Sequence, residues 1–338
     1  MKRVGAFVNY MSCVEEGRYC EHPEAVLSKL AECASPSVSS DLAVFESVYG
    51  RSFQQEIIEP RLLIKSDLDT LRAGRAAQQL LYWYAVEHLK MTHQVSYLAG
   101  YSMGYTVAFM AAGALTTRTL ISEVMPVNRI YAADNFAALQ DGGLSSAFFS
   151  CPTNPRFNET VKVLMQTAHP DVKVKDDRPP YSLQTAGPTE SVRALRATVL
   201  NRFPEAAENS SQSIASDSAH LTPERYVQLQ QRFNLFTLSR LSMDVVTHLD
   251  GTLTPSDRPA TLGAALFNAL QGRMNMAAVN EAAKDRELPL VLFGSKRVNR
   301  FAFHGFGDTA FSLPTFFWED LLLDCNPTPL RLSSEVTW

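Results

Sequence analysis

The chain has 338 residues, with 31 Lys and Arg against 35 Asp and Glu, a formal net charge of −4 and 46% hydrophobic residues. That length can bury a sizeable core, as one large domain or as a main body carrying an insert. The charge balance excludes a basic nucleic-acid footprint, and no apolar run reaches the roughly 18 residues of a membrane span.

Taken in order, residues 1–8 are too short an apolar run before polar Asn9 for a signal peptide, and they read as a first buried strand. The five cysteines, Cys13, Cys20, Cys33, Cys151 and Cys325, are odd in number and lack CxxC or metal-ligand spacing. Reduced thiols, a cytoplasmic setting and no metal site are therefore expected. Residues 9–70 are polar and irregular, with helices expected near 23–33 and 40–49. A longer helix is predicted over 68–90, apolar at Leu71, Leu80, Leu81, Tyr84, Ala85 and Leu89.

Leu98-Ala99-Gly100-Tyr101-Ser102-Met103-Gly104 follows, a Gly-x-Ser-x-Gly run between a strand-like segment (95–99) and a helix-like one (105–115). That context is the pattern of a nucleophile elbow. A serine on a sharp strand-to-helix turn holds a strained backbone, so glycines flank it where a Cβ would collide. The turn exposes the hydroxyl and sets the amide of Met103 at a helix N-terminus, where it can donate to an oxyanion. Pro126 is expected to break the second helix after the elbow.

Gly142-Gly143 opens a segment of different rhythm: a strand at 145–151, a helix at 158–168 and a strand at 181–186. A helix then runs from Gly187-Pro188-Thr189-Glu190 to about residue 203, with Pro188 suited to its first turn, and a short strand at 212–215 closes the set. The series is close to the ferredoxin-like β-α-β-β-α-β pattern with one strand unaccounted for. The expected division is a body of residues 1–142 and 216–338 and a ferredoxin-like subdomain of 143–215. The body resumes with a helix at 223–233, a strand at 243–249, a helix at 262–282 and a strand at 288–293. The aromatic run 311–318 reads as packing of the C-terminal segment, and there are no repeats or low-complexity stretches.

An elbow serine in an α/β body interrupted by such an insert resembles the malonyl-CoA:acyl-carrier-protein transacylases and the acyltransferase domains of polyketide synthases. Gly100-Tyr101-Ser102-Met103-Gly104, followed by Met110-Ala111-Ala112-Gly113-Ala114-Leu115, is similar to the family's GHSxG and its Ala-Gly-Ala-Leu helix end. Residues 181–195 resemble its second insert strand, Ala-Gly turn and helix. Ile214-Ala215-Ser216-Asp217 sits where polyketide acyltransferases carry YASH or HAFH, and Val245-Val246-Thr247-His248-Leu249-Asp250 resembles the family's Val-Val-Asn-Asn-Val-Asp strand. Ser312-Leu313-Pro314-Thr315-Phe316-Phe317 faintly resembles the linker that follows such domains.

The resemblance implies an α/β hydrolase-like body with a parallel sheet, plus a small ferredoxin-like subdomain. It also implies acyl transfer through an ester on Ser102, with CoA or phosphopantetheine thioesters as substrates and no permanently bound cofactor. The partners would be acyl-CoA and an acyl carrier protein, in fatty-acid or polyketide-type biosynthesis, with no nucleic acid and no membrane.

Departures from the family bear on mechanism. Tyr10 stands where the family's oxyanion-hole glutamine lends a backbone amide, and a backbone amide survives substitution. Tyr101 replaces the GHSxG histidine and is expected to contact substrate. The family's substrate-carboxylate arginine falls near Val127, with Arg129 close by but beyond Pro126. The family's catalytic histidine is the last residue of the YASH-type tetrapeptide, which here is Asp217, with His220 three residues on. A carboxylate of ordinary pKa, about 4, is a weak base for a serine hydroxyl. Three readings stay open: Asp217 as base; His220 as base with Asp217 orienting it; or an impaired site that binds a carrier protein. Asp217 is also well placed as a helix N-cap.

A general α/β-hydrolase, or an acyl-thioester hydrolase, is the other enzyme class, with Asp250 and His304 in the required chain order. The insert and the long stretch before the elbow count against it. Gly305-x-Gly307 reads as a turn, and Lys296, Arg297 and Arg300 read as a solvated face or as a contact for an acidic carrier or a CoA phosphate.

Overall fold

The computed structural model describes residues 2–9, 19–32, 36–60, 68–127, 144–151, 153–178, 180–211, 223–247, 252–254, 259–271, 274–275, 279, 281–282, 284–294 and 314–324. One sheet of five parallel strands runs in the order β10 (Thr315–Phe317), β9 (Leu290–Phe293), β1 (Arg3–Asn9), β2 (Gln94–Tyr101), β7 (Asp244–Val246). Val4 to Val8 and Tyr97 to Gly100 are all buried, the unbroken pattern expected of central strands in a covered parallel sheet. The register pairs Phe7 with Ala99 and Asn9 with Tyr101, so the end of β1 runs alongside the strand that delivers Ser102.

Helix α4 (Leu68–Thr92) lies against β2 and buries Leu80, Leu81, Tyr84, Ala85 and Leu89 of its predicted stripe. Three helices pack around it: α1 (Pro23–Glu32), α2 (Pro36–Tyr49) and α3 (Phe53–Ile58). The last was not predicted. Helix α5 (Gly104–Ala111) follows the elbow and packs on β1, β2 and α4. After it, α6 (Thr117–Thr119) widens into a π turn over Leu120–Val124, where the Met125 amide reaches back to the Leu120 carbonyl.

The helical path continues through Pro126 to Val127, so Pro126 does not break it as expected. A proline removes an amide and crowds the carbonyl four residues before it, and a widened turn immediately upstream relieves both constraints.

The second sheet has the order β6 (Ala207–Ser211), β3 (Leu144–Ser150), β5 (Ser182–Pro188), β4 (Lys173–Arg178), β8 (Met274–Asn275). Its first four strands are antiparallel, with α7 (Phe157–Ala168) between β3 and β4 and α8 (Thr189–Arg202) between β5 and β6. This is the ferredoxin-like arrangement, and β4 is the strand the pattern left unaccounted for. It has its own core, including Phe149, Phe157, Val161, Leu183, Leu195 and Phe203.

The closing strand lies at Ala207–Ser211, and the predicted strand at 212–215 falls outside the described residues. Two helices from the predicted set follow, α9 (Pro223–Asn234) and α10 (Pro259–Gln271). The predicted helix to residue 282 is interrupted, because α10 stops at Gln271 and Met274–Asn275 crosses to pair with β4 in parallel. Part of the aromatic run forms the edge strand β10, which leads into α11 (Trp318–Leu322). There Glu319 accepts from the amides of Glu21 (3.2 Å) and His22 (2.8 Å), capping the approach to α1.

Candidate active site

Ser102 has φ +54°, a left-handed conformation for a residue with a Cβ, at the point where β2 turns into α5. The Tyr105 amide closes the turn onto the Ser102 carbonyl at 2.9 Å, and the Thr106 amide bonds the Met103 carbonyl at 3.1 Å. Tyr101 and Met103 on either side are buried, while Ser102 itself is only half-buried. Strain of this kind persists only where its surroundings dictate it.

The glycines show how. A Cβ on Gly104 would stand 2.1 Å from the Val8 carbonyl oxygen of β1, and one on Gly100 would stand 2.4 Å from the backbone of Gly104 and Tyr105. Both contacts are with backbone, so β1, β2 and α5 can approach this closely only without those side chains.

The rest of α5 is tied down as well. Its first turn is held by a hydrogen bond between the hydroxyls of Tyr105 and Thr254. Its last turn ends at Gly113, φ +76°, with the Ala114 amide reaching back to the Phe109 carbonyl. Lys90 of α4 donates to the Ala111 carbonyl, and the Ser242 hydroxyl donates to the Ala112 carbonyl at 2.7 Å. A cationic side chain at a helix C-terminus complements the carbonyl ends there. The helix whose N-terminus faces Ser102 is therefore fixed at both ends.

Tyr101 takes a different course from the one its sequence position implies. Its ring is 1% exposed, and its hydroxyl donates to Asp176 Oδ2 on β4 at 2.8 Å. Asp176, fully buried, was not singled out in the sequence. It lies in a run of charges that reads as solvated loop, and the one available signal was the tyrosine, which needs an acceptor when its ring is buried.

Ser102 and Met103 thus sit together at the elbow, with Tyr101 reaching the insert. Val127, where the family's carboxylate-binding arginine falls, is aliphatic and 5% exposed. Tyr10, Arg129, Asp217, His220, Asp250, His304, Lys296, Arg297 and Arg300 lie outside the described residues, as do Cys13, Cys33 and Cys325. The described cysteines, Cys20 and Cys151, are buried thiols outside any disulfide, and burial pushes the Cys151 thiol pKa up. Among the described residues no cluster of His, Cys, Asp and Glu is arranged to hold a metal ion, and no helix is long and apolar enough to cross a membrane.

No protein-family model matches the chain, and no curated protein matches it significantly by sequence. The solved structures do. The chain is similar to an acyl carrier protein S-malonyltransferase of Vibrio cholerae, with a TM-score of 0.71 and 14% identity, over 94% of this chain and 96% of that one. It is similar to the malonyl CoA-acyl carrier protein transacylase of Coxiella burnetii, with a TM-score of 0.73 and 10% identity, over 96% of each chain.

The fold is that of the malonyl transacylases. A third structure, at a TM-score of 0.71 and 14% identity over 96% of this chain and 100% of that one, is a malonyl-transacylase in complex with its type II polyketide acyl-carrier protein. The parallel sheet carrying an elbow and the separate antiparallel sheet beside it both belong to this architecture.

Proposed function

We propose that this protein is an acyltransferase that carries an acyl group as an ester on Ser102 between CoA or phosphopantetheine thioesters, in fatty-acid or polyketide-type synthesis. The observation that carries the reading is a serine at φ +54° on a glycine-flanked elbow. It stands in a chain similar over nearly its whole length to proteins described as malonyltransferases.

In acylation, Ser102 Oγ bonds to the thioester carbonyl carbon, the C–S bond breaks, and the serine proton passes by way of a base to the departing sulfur. The oxyanion is held by the backbone amide of Met103, at the head of α5, and by that of Tyr10. His220 is the base, with Asp217 accepting from its other ring nitrogen. In the second half, His220 takes the proton of an incoming carrier-protein thiol, sulfur bonds to the acyl carbon, and Ser102 Oγ leaves with that proton. The partner is an acyl carrier protein, as in the malonyl-transacylase structure described with its carrier. Arg129 is the candidate for a donor carboxylate, which a guanidinium binds bidentately. Val127, at the position where the family carries its arginine, supplies no cation of its own.

The test is a panel of acetyl-, malonyl- and longer acyl-CoA and acyl-carrier donors, read by intact mass. An adduct that forms on the native chain, transfers to a second carrier and is absent in Ser102→Ala supports the reading. Acyl loss to water without transfer would make the protein a thioester hydrolase, and no adduct with any donor would leave a carrier-binding role. A preference for malonyl over acetyl donors that disappears in Arg129→Ala would place Arg129 at the carboxylate.

A further inference from the structure

We propose that Tyr101 and Asp176 form a positioning pair that holds the ferredoxin-like insert at a fixed height over Ser102. The proposal rests on the acyl-Ser102 reading above. Tyr101 is the residue directly before the nucleophile. Its hydroxyl donates to Asp176 Oδ2 at 2.8 Å, with the ring 1% exposed and the carboxylate fully buried. A phenol donating to a carboxylate away from water is a short, charge-assisted and directional bond.

The strand that supplies Asp176 is built to present it. Successive side chains of a strand face opposite sides. Asp177, the next residue, faces α7, where it accepts from Asn158 Nδ2 (3.0 Å) and Lys162 Nζ (2.6 Å). Asp176 faces the body. The register of β4 against β5 shifts between Val174 and Asp176, which puts an extra residue just before the pair, a device that re-aims the side chains beyond it. A second link from the body lands on the same two residues, because β8 pairs Met274 with Asp176 and Asn275 with Asp177. Insert helix, elbow and body strand thus converge on one dipeptide.

The consequence for chemistry runs through the backbone. Tyr101 and Ser102 share a peptide unit, and Ser102 is held at a torsion it would not adopt unaided. A hydroxyl anchored at the far end of a rigid ring restrains that unit from the insert side, while Gly104 against β1 restrains it from the body side. Tyr101 and Asp176 touch neither substrate nor reacting atoms in this scheme. They position Ser102 relative to what the insert presents to it.

The test uses an alkyl fluorophosphonate, which bonds to Ser102 Oγ as fluoride leaves and needs no carrier protein, with thermal unfolding as the folding control. Tyr101→Phe and Asp176→Ala are each expected to slow the labelling step about tenfold or more, with little change in the reagent concentration giving half-maximal rate. The double variant should be no slower than the slower single, since both remove one bond. Asp176→Asn, whose amide oxygen still accepts from the phenol, should recover most of the rate. Native-rate labelling by Tyr101→Phe, or effects that multiply in the double variant, would overturn the pair.

If native Ser102 does not label at all, the acyl-enzyme reading fails on its own, and amide hydrogen exchange decides the pair instead. Tyr101→Phe should then speed exchange in β4 and β8 while leaving β3 as it was. Unchanged exchange in β4 and β8 would refute the contact.

Discussion

The elbow and the strand that faces it are held by different means. At the elbow the restraints are backbone against backbone: Gly104 under the Val8 carbonyl, Gly100 under the start of α5, and Ser102 at a positive φ between them. At β4 they are side chains: Asp176 with Tyr101, and Asp177 with Asn158 and Lys162. Backbone contact leaves no freedom, because neither partner has a rotamer to change. Side-chain bonds fix a position only while both partners are intact, and one substitution removes each. A site assembled from both can therefore keep its nucleophile rigid in one half and adjust its distance to the other half by substitution.

The sharpest way to break the distinction is Gly104→Ala. Its methyl would meet the Val8 oxygen at 2.1 Å and the Val8 carbonyl carbon at 2.9 Å, both in a central strand. A cost of about 3 kcal/mol or more is expected, from the denaturant midpoint, together with loss of Ser102 reactivity. Gly113→Ala makes the comparison internal. It too changes a glycine on this helix, at φ +76°, but its Cβ would meet nothing nearer than Ser242 Oγ at 3.6 Å. Only the left-handed backbone is then penalised, at about 1 kcal/mol. Equal costs at the two positions would show that β1 gives way to the added methyl at Gly104.

The same division decides what the residues announce in advance. Backbone demands write themselves as glycines at set positions, so Gly100, Ser102 and Gly104 marked the elbow, and the continuous apolar runs of β1 and β2 marked its sheet. β4 reads Lys-Val-Lys-Asp-Asp-Arg, whose charges erase the alternation of a strand, because here the charges are the contacts. Asp176 was invisible for that reason. β8 is two residues long and owes its existence to β4, so no local pattern could disclose it. Pro126 misled because the widened turn over Leu120–Val124 absorbs it, and that turn has no residue signature. Tyr101 was singled out as a substrate contact, and the structure places its hydroxyl on Asp176 of the insert.

A middle-sized effect tests the half of the proposed chemistry that side chains must supply. If His220 is the base and Asp217 orients it, acylation should rise with pH through a pKa of about 6 to 7, because only the neutral imidazole accepts the serine proton. His220→Ala should cost roughly 10²-fold in rate, and Asp217→Asn should cost less. The measurement is the pH profile of adduct formation on Ser102 in each variant. A silent His220→Ala beside an inactive Asp217→Asn would mean that the protein runs on a Ser–Asp pair.

The smallest expected effect lies on β2 itself. Tyr97 and Tyr101 share a strand and a face, four residues apart, yet only Tyr101 has its hydroxyl on a carboxylate. Tyr97 packs its ring over Gly5, where a Cβ would be 2.2 Å away, and under the Arg286 guanidinium at 5.2 Å from the ring centre. Its hydroxyl is buried with no hydrogen-bond partner among the described residues. Tyr97→Phe should therefore change stability by less than about 1 kcal/mol at neutral pH, whereas Tyr101→Phe removes a hydrogen bond to a buried carboxylate and should cost about 2 kcal/mol.

Titration separates the two further. Burial pushes the Tyr97 phenol up from 10.0 to about 12, with Arg286 opposing the shift. Below pH 10 both folded and unfolded forms are neutral at this residue, and stability does not depend on it. Between 10 and about 12 the unfolded chain loses the proton while the folded one keeps it, so folding is weakened as pH rises, by about 3 kcal/mol at most. Tyr97→Phe should remove that part of the alkaline decline, seen by comparing unfolding free energies of native and variant at pH 9 and pH 11. If instead the variant declines as steeply as the native chain, a donor in the folded protein stabilises the Tyr97 phenolate. β2 would then be held by a side-chain bond at Tyr97 as it is at Tyr101, and the contrast between the two tyrosines would dissolve.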